Sequence, residues 1–368
     1  MKAIFFLPHS KQAAGARYRV HQFLPALTAA GVTCDVREFV TPELYRHLYK
    51  NGHALEKSYW IARQSLRRWR DMRAARDADV IFVYRECYPF GPPFLESMLR
   101  RLGKPIVYDF DDAIFLPEPT LLRNVLRNPA KTARIAQLAD CVIVSNEHLR
   151  GFASAYNQHV EVIPTCVDTD VFAPAPPRPV GQRLRLGWIG SHSTAKYLDQ
   201  LRPVLSELSH RFDFELLVVG AARDFELPGV RVINERWSLE TEVERFQSLD
   251  IGLYPLADTI WELGKAGFKA IQYMAVGAPC VVSRVGVTRD IVSDGENGFL
   301  ASDDREWSDK LGRLLSDAAL RQRLSEAGRR TIVERYSLSM NAPRLRRVLE
   351  RVAQGPALAP AARHEAST

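Results

Sequence analysis

The sequence predicts an α/β protein made of two Rossmann-like domains that face each other across a cleft. Short apolar runs alternate with amphipathic stretches through most of the 368 residues, which is typical of βαβ units with parallel strands. The alternation occurs in two series, and the proline-rich segment 173–181 (APAPPRPVG) separates them. Because ligands of open parallel sheets bind beyond the carboxyl ends of the strands, we expect the functional site in the cleft.

Most predicted strands are short apolar runs, as expected for strands that are buried on both faces. In the first series these runs are Ala3–Leu7, Thr33–Phe39, Val80–Tyr84, Ile106–Phe110, Cys141–Ser145 and Glu161–Pro164. In the second series they are Leu184–Ile189, Glu215–Val219, Val230–Ile233, Ile251–Tyr254 and Pro279–Ser283. We place the two domains at 1–175 and 182–336. A helix at 337–354 is expected to cross back to the N-terminal domain, and the tail 355–368 is expected to be disordered.

Composition and charge exclude several classes of protein. No run approaches 18 unbroken apolar residues, and the first apolar run is too short for a signal peptide, so we expect a cytoplasmic protein. Residues 46–76 hold nine Lys and Arg against two acids, which accounts for the whole net charge of +7. A charge confined to one segment argues against a nucleic-acid-binding protein.

The basic segment also has a helical pattern. Apolar residues recur there at spacings of three and four, which predicts one apolar face of a helix: Leu55, Tyr59, Ala62, Leu66, Trp69 and Met72. We expect this face to dock on the N-terminal domain and the arginines to be solvated. The alternative is attachment of residues 55–76 to the anionic inner face of a membrane, which suits a lipid-linked acceptor.

The segment 250–286 carries the most chemistry. It is expected to form a strand, a glycine-rich loop at 264–267, a helix at 268–276 and another strand. A helix start reached through glycines favours a phosphate, because its N–H groups and its dipole attract anions. Lys265 and Lys269 lie on either side of that helix start. The structural alternative is an ordinary βα turn with solvated lysines.

Two stretches of this segment resemble glycosyltransferase family four, whose members have the GT-B fold. They are WELGKAGFK at 261–269 and QYMAVGAPCV at 272–281. The resemblance implies that the C-terminal domain binds a nucleoside diphosphate sugar and the N-terminal domain an acceptor. The implied donor-binding residues in this segment are Glu262, Gly264, Gly267, Phe268, Lys269 and Gln272.

The chain departs from the family at two positions. The family commonly has two glutamates eight positions apart, which would fall on Gly264 and Gln272 here. We expect Gln272 to hydrogen-bond ribose hydroxyls, since an amide is both donor and acceptor, and Glu262 to take over the sugar contact.

A second donor loop is predicted after the strand that ends at Ile189. Gly190 permits a tight turn there, and the family places an Arg and a Lys of this loop on the donor phosphates. Lys196 matches the Lys, whereas Ser191 stands where the Arg is usual. We predict that Lys196 and Lys265 neutralise the departing diphosphate, again with a purely structural βα turn as the alternative.

Further candidates line the N-terminal side of the expected cleft. The family places a glycine-rich loop after the first strand, which corresponds here to Gly15, Arg17 and Arg19. Acidic residues follow another strand, and we expect Asp109 and Asp112 to orient the acceptor. A metal site there is disfavoured, and an acidic helix cap is the structural alternative. Glu86 is a further acceptor-side candidate.

The resemblance implies a retaining glycosyltransferase that moves the sugar to a hydroxyl of a glycan or lipid-linked acceptor. It also implies a role in cell-surface polysaccharide or glycolipid assembly, and no metal or cofactor beyond the nucleotide sugar. One alternative is a nucleoside diphosphate sugar 2-epimerase, and another is a non-catalytic binding protein of the same fold. A Rossmann oxidoreductase is disfavoured because Pro8–Gly15 holds one glycine, not GxGxxG.

Overall fold

The computed structural model describes residues 1–48, 53–117, 120–176 and 181–355. These residues form two compact units. Unit 1 contains Met1–Thr165 together with the chain from Asn341 onward, and unit 2 contains Cys166–Met340. From position 356 the tail that was expected to be disordered lies outside the described residues.

Unit 1 is built on a parallel six-stranded sheet. Its strands are β1 (Lys2–His9), β2 (Thr33–Val40), β3 (Val80–Tyr84), β4 (Ile106–Phe110), β5 (Cys141–Val144) and β6 (Val160–Val162). The spatial order is β2-β1-β3-β4-β5-β6, so the direction of winding reverses between β1 and β3. Such a reversal opens a crevice at the carboxyl ends of the two strands concerned.

Helices surround this sheet and bury its apolar side chains. They are α1 (Ala14–Arg19), α2 (Leu24–Ala29), α3 (Pro42–Leu48), α4 (Ala54–Ala74), α5 (Phe94–Arg101), α6 (Leu121–Arg127), α7 (Lys131–Leu138) and α8 (Glu147–Ser154). The core joins strand residues such as Ile81 and Val142 to Leu99 of α5 and Ile135 of α7. Burial on both faces explains why β1, β3, β4 and β5 appear in the sequence as nearly unbroken apolar runs.

Unit 2 repeats this plan. Its strands are β7 (Leu184–Ile189), β8 (Phe214–Val219), β9 (Arg231–Glu235), β10 (Ile251–Tyr254), β11 (Cys280–Ser283) and β12 (Phe299–Ala301). They are parallel, in the order β12-β11-β10-β7-β8-β9, and the winding reverses between β10 and β7. The helices are α9 (Arg202–Ser209), α10 (Glu242–Gln247), α11 (Ile260–Leu263), α12 (Phe268–Ala275), α13 (Thr288–Ile291), α14 (Asp304–Ser316) and α15 (Ala318–Arg335).

The units divide before the proline-rich segment, whereas the sequence placed the end of the first domain at 175. Residues 166–176 belong to unit 2 because Arg329 holds them in place. Its guanidinium donates hydrogen bonds to the carbonyls of Thr169 at 2.7 Å and Phe172 at 2.6 Å. Val167 also pairs with Ser337 in a parallel bridge.

The last helix, α16 (Leu338–Gln354), returns the chain to unit 1 from Asn341 onward. Arg344 donates a hydrogen bond to the carbonyl of Val162 at 2.7 Å, and Arg351 forms an ion pair with Glu161 at 2.9 Å. These contacts attach α16 to the edge strand β6.

Helix α4 packs on unit 1 mainly through its polar face, so the predicted docking face is wrong except at Met72, which is buried in the core. Gln64, Arg68 and Asp71 are buried, whereas most of the predicted apolar face is exposed: Leu55 89%, Tyr59 63%, Leu66 66% and Trp69 47%. Arg68 holds the helix by donating hydrogen bonds to the carbonyls of Leu7 at 2.8 Å and Arg37 at 2.9 Å. In the ranges that the structure describes, no helix is both long and apolar enough to cross a membrane.

Candidate functional site

The two predicted donor segments of unit 2 meet where the winding reverses. Gly190 follows β7, and Lys269 lies in the first turn of α12, which follows β10 and α11. A Cβ atom on Gly190 would lie 3.0 Å from Cε of Lys269 and 2.4 Å from the ring of Trp188. Only glycine therefore lets the lysine stem cross the end of β7, and the two loops form one site.

Helix α12 begins in a way that suits an anion. Its N-cap residue, Gly267, has a φ of 65°, and no side chain caps the helix. A Cβ atom on Gly267 would lie 2.5 Å from Cδ1 of Ile291, so both the backbone angle and the available space require glycine. The dipole of α12 and the absence of a side-chain cap fit the predicted phosphate site.

Lys269 lies between two aromatic rings. Its ammonium nitrogen is 5.7 Å from the ring centre of Trp188 and 5.3 Å from that of Tyr254. Burial, and to a smaller extent the neighbouring charge of Lys265, lower the pKa of Lys269 to about 7. Two lysines at one helix start repel each other, and an anionic ligand between them would reverse that repulsion.

Gln272 follows Lys269 on the same helix and is 4% exposed. Its amide nitrogen has no hydrogen-bond partner among the described residues. A buried donor that is left unsatisfied costs about 1–3 kcal/mol, so such groups usually meet a ligand or water. This geometry fits the expected hydrogen bond to ribose.

The structure gives Glu262 a bracing role and not the expected sugar contact. Its side chain is 2% exposed, and its two carboxylate oxygens accept hydrogen bonds from the hydroxyls of Tyr197 and Thr259. Tyr197 belongs to a 3-10 helix at 195–201, which also carries Lys196. Glu262 therefore fixes the loop that holds Lys196, whose side chain is exposed with Nζ 5.0 Å from the Tyr197 ring centre.

The remaining predicted donor residues occupy the same loops. Ser191 is exposed, and its hydroxyl lies 3.0 Å from that of Ser193, so this loop is closed by its own hydroxyl groups. Gly264 is buried, and its N–H donates a hydrogen bond to the carbonyl of Trp261 at 3.3 Å. Phe268 is half-buried at the first position of α12. The lysine side chains at the site are thus those of Lys196, Lys265 and Lys269.

In unit 1 a polar cluster lies where the winding reverses between β1 and β3. Gly15 leaves room for Tyr84, because a Cβ atom there would lie 2.2 Å from the Tyr84 hydroxyl. This hydroxyl donates a hydrogen bond to Asp111 at 2.8 Å. Arg85, in the left-handed region with φ 58°, donates to Asp111 at 2.7 Å and also pairs with Asp112.

Arg85 and Asp111 were not predicted, although they follow the neighbouring strands β3 and β4. His9, at the end of β1, was also missed. Burial, together with the charges of Arg85 and Arg127, lowers the pKa of His9 to about 4, so its imidazole is neutral at pH 7. Because β1, β3 and β4 are neighbours in the sheet, a predicted strand order would have placed His9, Arg85 and Asp111 at the same edge.

Asp109 and Arg19 form a buried pair, which corrects their predicted roles. Arg19 donates to both oxygens of Asp109 and, at 2.7 Å, to the carbonyl of Ile163. Burial raises the pKa of Asp109, and the Arg19 charge opposes this. A carboxylate whose two oxygens are both bound by a guanidinium is not placed to orient an acceptor.

The other predicted residues of unit 1 are also engaged within the fold. Arg17 is half-buried, and its guanidinium donates to the carbonyl of Lys11 at 3.1 Å. Glu86 forms an ion pair with the buried Lys131 at 2.5 Å. Asp112 keeps 33% exposure and is the predicted carboxylate best placed to reach a ligand. Across the described ranges, no group of three or more His, Cys, Asp and Glu is arranged to hold a metal ion.

A comparison with family models identifies the central part of unit 2. Residues 183–317 match the family described as glycosyl transferases group 1. This segment is therefore similar to glycosyl transferases group 1 domains. It contains all the donor-site residues described above, from Gly190 to Gln272. The family predicted from the sequence is therefore confirmed for this part of the chain.

Two relatives are similar to parts of the chain. The D-inositol 3-phosphate glycosyltransferase of Xylanimonas cellulosilytica is 28% identical over 233 residues, which is 55% of each protein. The phosphatidyl-myo-inositol mannosyltransferase of Mycobacterium leprae is 38% identical over 89 residues, which is 24% of each. The chain thus spans about half or less of the length of these relatives. Both matches support the predicted class of enzyme, a glycosyltransferase.

Two solved structures resemble nearly the whole chain. Sucrose-phosphate synthase from Thermosynechococcus elongatus has a TM-score of 0.70 at 16% identity, over 96% of this chain and 99% of that one. HepE from Anabaena, in complex with UDP, has a TM-score of 0.66 at 15% identity, over 95% and 100%. At such identities the likeness shows the fold alone, and that fold is the predicted GT-B type.

Proposed function

We propose that this chain transfers a sugar from a nucleoside diphosphate sugar to a hydroxyl group of an acceptor, with retention of configuration at the sugar. The observation that supports this best is the start of α12. There Gly267, the cationic Lys265 and Lys269, and the unsatisfied amide of Gln272 together match the phosphates and the ribose of a nucleotide.

The donor site accounts for departure of the leaving group. When the bond between the sugar and the diphosphate breaks, negative charge develops on the phosphate oxygen. Lys196 and Lys265, aided by Lys269 and the dipole of α12, neutralise this charge without any metal. In other enzymes, removal of one such donor raises the activation free energy by about 3–4 kcal/mol.

The acceptor is proposed to bind at the polar cluster of unit 1. Asp112 is the carboxylate of that cluster with the greatest exposure, and Arg85 fixes its position. The neutral imidazole of His9 offers a second polar group at the end of β1. These groups suit a polyhydroxylated acceptor such as a glycan or a lipid-linked sugar, and the relatives' names point to inositol and lipid acceptors.

We place the reaction in the cytoplasm, in the assembly of a surface polysaccharide or glycolipid. UDP is the first nucleotide to test, because HepE, which shares the fold, was solved with UDP. Calorimetric titration with UDP, GDP and ADP would measure the binding, and each corresponding sugar nucleotide would then be incubated with and without inositol phosphate or a lipid extract.

Lys265→Ala is expected to lower turnover by at least 100-fold, because a cation at the leaving group is lost. Its unfolding midpoint should match that of the wild type. A variant with normal turnover would contradict the role of Lys265. A product formed from the donor without any acceptor, with an inverted C2 centre, would replace the proposal with the 2-epimerase reaction.

A further inference from the structure

Helix α4 displays its apolar residues outward. Among its exposed positions, Leu55, Tyr59 and Leu66 have 89%, 63% and 66% of their surface accessible. The helix does not need these residues for packing, because Arg68 and Asp71 on the opposite face are buried against the sheet. An amphipathic helix that is attached by its polar face leaves an apolar stripe without a partner in the described chain.

Helix α6 is exposed to an even greater extent. None of its seven residues is buried, and the accessible fractions are 81% for Leu121, 69% for Leu122, 67% for Val125 and 48% for Leu126. The last three lie one, four and five positions after Leu121, so all four lie on one side of the helix. Thr120 accepts a hydrogen bond from the N–H of Arg123 and so begins the helix.

The two helices belong to one continuous surface of unit 1. The exposed rings of Trp69 in α4 and Phe94 in α5 are 5.7 Å apart. The short segment before Phe94 reaches α6, because the N–H of Gly91 donates a hydrogen bond to the carbonyl of Leu126 at 2.8 Å. We call the outward side chains of α4, residues 90–94 and α6 the outer face.

The exposed charged residues along most of the outer face are positive. Arginines alternate with the exposed apolar residues: Arg63, Arg67, Arg70 and Arg73 in α4, and Arg123 and Arg127 in α6. Between Lys57 and Ala74 the one acid is Asp71, which is buried and paired with Arg37. The acid of α5, Glu96, is also buried.

We propose that the outer face is a docking surface for an anionic lipid bilayer. Leucine, valine and tryptophan side chains would enter the boundary between headgroups and acyl chains, and the arginines beside them would meet phosphate headgroups. This inference goes beyond sugar transfer and does not depend on it, since no donor-site residue belongs to the outer face.

Vesicle flotation of the full chain tests the proposal. We compare phosphatidylcholine vesicles with vesicles in which about a third of the lipid is phosphatidylglycerol. The wild-type chain should float with the anionic vesicles at low salt, and much less with the neutral ones. High salt should weaken this binding, because mobile ions screen the arginines.

Two triple variants separate the contribution of the arginines to vesicle binding from that of the apolar side chains. Arg63→Gln, Arg67→Gln and Arg70→Gln together should lower the partition coefficient for anionic vesicles by about 100-fold, from loss of three surface charges. Leu121→Ser, Leu122→Ser and Val125→Ser together should lower it by at least tenfold. All six positions are exposed, and thermal unfolding would verify that each variant folds.

The matched control is the pair Arg330→Gln and Val333→Ser on α15, which are also exposed. Partitioning of this control should equal that of the wild type. The proposal is overturned if the wild type ignores anionic lipid, or if the triple variants float as well as the wild type. It is also overturned if light scattering shows a dimer that the leucine variant dissolves, because the outer face would then join two copies of the chain.

Discussion

At the scale of single residues, the donor site contains two groups that lower the folding stability of the protein without a ligand. The pKa of Lys269 falls to about 7 in the folded chain, below its ordinary value of 10.5, so the unfolded chain binds more protons between these two pH values. Stability from this residue therefore rises as the pH increases through that window, and Lys269 costs folding free energy below it. The buried amide of Gln272 adds a second cost. Both costs should fall if the proposed nucleotide binds there.

We predict that the shifted pKa of Lys269 makes the proposed binding of UDP depend on pH. A diphosphate prefers the charged ammonium of Lys269, so the Kd for UDP should rise by about tenfold per pH unit above pH 7, while UDP itself stays fully ionised. Lys269→Arg keeps its charge over this range and should show a flat profile. Calorimetric titrations of both proteins between pH 7 and pH 9 would test this. Parallel profiles would rule out Lys269 as the titrating group.

At the scale of elements, one glycine decides how α12 begins. Gly267→Ala should destabilise the protein by about 1–2 kcal/mol, because an L-residue is strained at φ 65°. It should also weaken UDP binding, because the added Cβ would displace the helix start from Ile291. Urea denaturation and calorimetry measure the two effects.

Gly277→Ala is the matched control, since Gly277 has a φ of 77° at the other end of the same helix. It should lose similar stability and keep its affinity for UDP. Equal losses of affinity in the two variants would mean that the start of α12 has no special part in binding.

A second element, α4, depends on one buried arginine. Arg68→Met removes the donor from the carbonyls of Leu7 and Arg37 and should lower the free energy of unfolding by about 2 kcal/mol. The exposed neighbour supplies the control, because Arg67→Met should change it by less than about 0.5 kcal/mol. Urea denaturation of both variants gives the comparison. An Arg68→Met protein as stable as the wild type would show that α4 is held by other contacts.

At the scale of the whole molecule, each unit has its own core, and the described donor site lies within unit 2 alone. A fragment that contains Cys166–Met340 should therefore fold and bind UDP with a Kd within about tenfold of that of the full chain. Circular dichroism would follow its unfolding, and calorimetry its affinity. A fragment that folds without binding UDP would show that the nucleotide needs residues from unit 1.

The sequence predicted the sheets well, because strands buried on both faces leave apolar runs whose ends coincide with loops. Strand β12 (Phe299–Ala301) was not among the predicted strands. The sequence predicted that Lys196 and Lys265 act on one diphosphate, but it did not predict that Gly190 makes room for Lys269. The roles of Glu262 and Asp109 did not follow, because their partners Tyr197 and Arg19 lie 65 and 90 positions away.

The face of α4 was mistaken for a related reason. Periodicity shows that a helix has an apolar stripe, but it does not show which side of the helix meets the sheet. The stripe was assigned to the core because burial of apolar area usually provides the largest stabilisation. Here the hydrogen bonds of Arg68 attach the helix, and they leave no trace in the spacing of apolar residues.

Helix α4 is attached to unit 1 mainly through its polar side, so the residues that hold the helix differ from those that it exposes to solvent. Most of its outward positions are exposed and lie outside the core of unit 1, so folding should place little constraint on them. A mutational scan of α4 scored once for soluble yield and once for capture by vesicles should give two sets of sensitive positions that do not overlap. The yield set should centre on Gln64, Arg68 and Asp71, and the capture set on the positions between them.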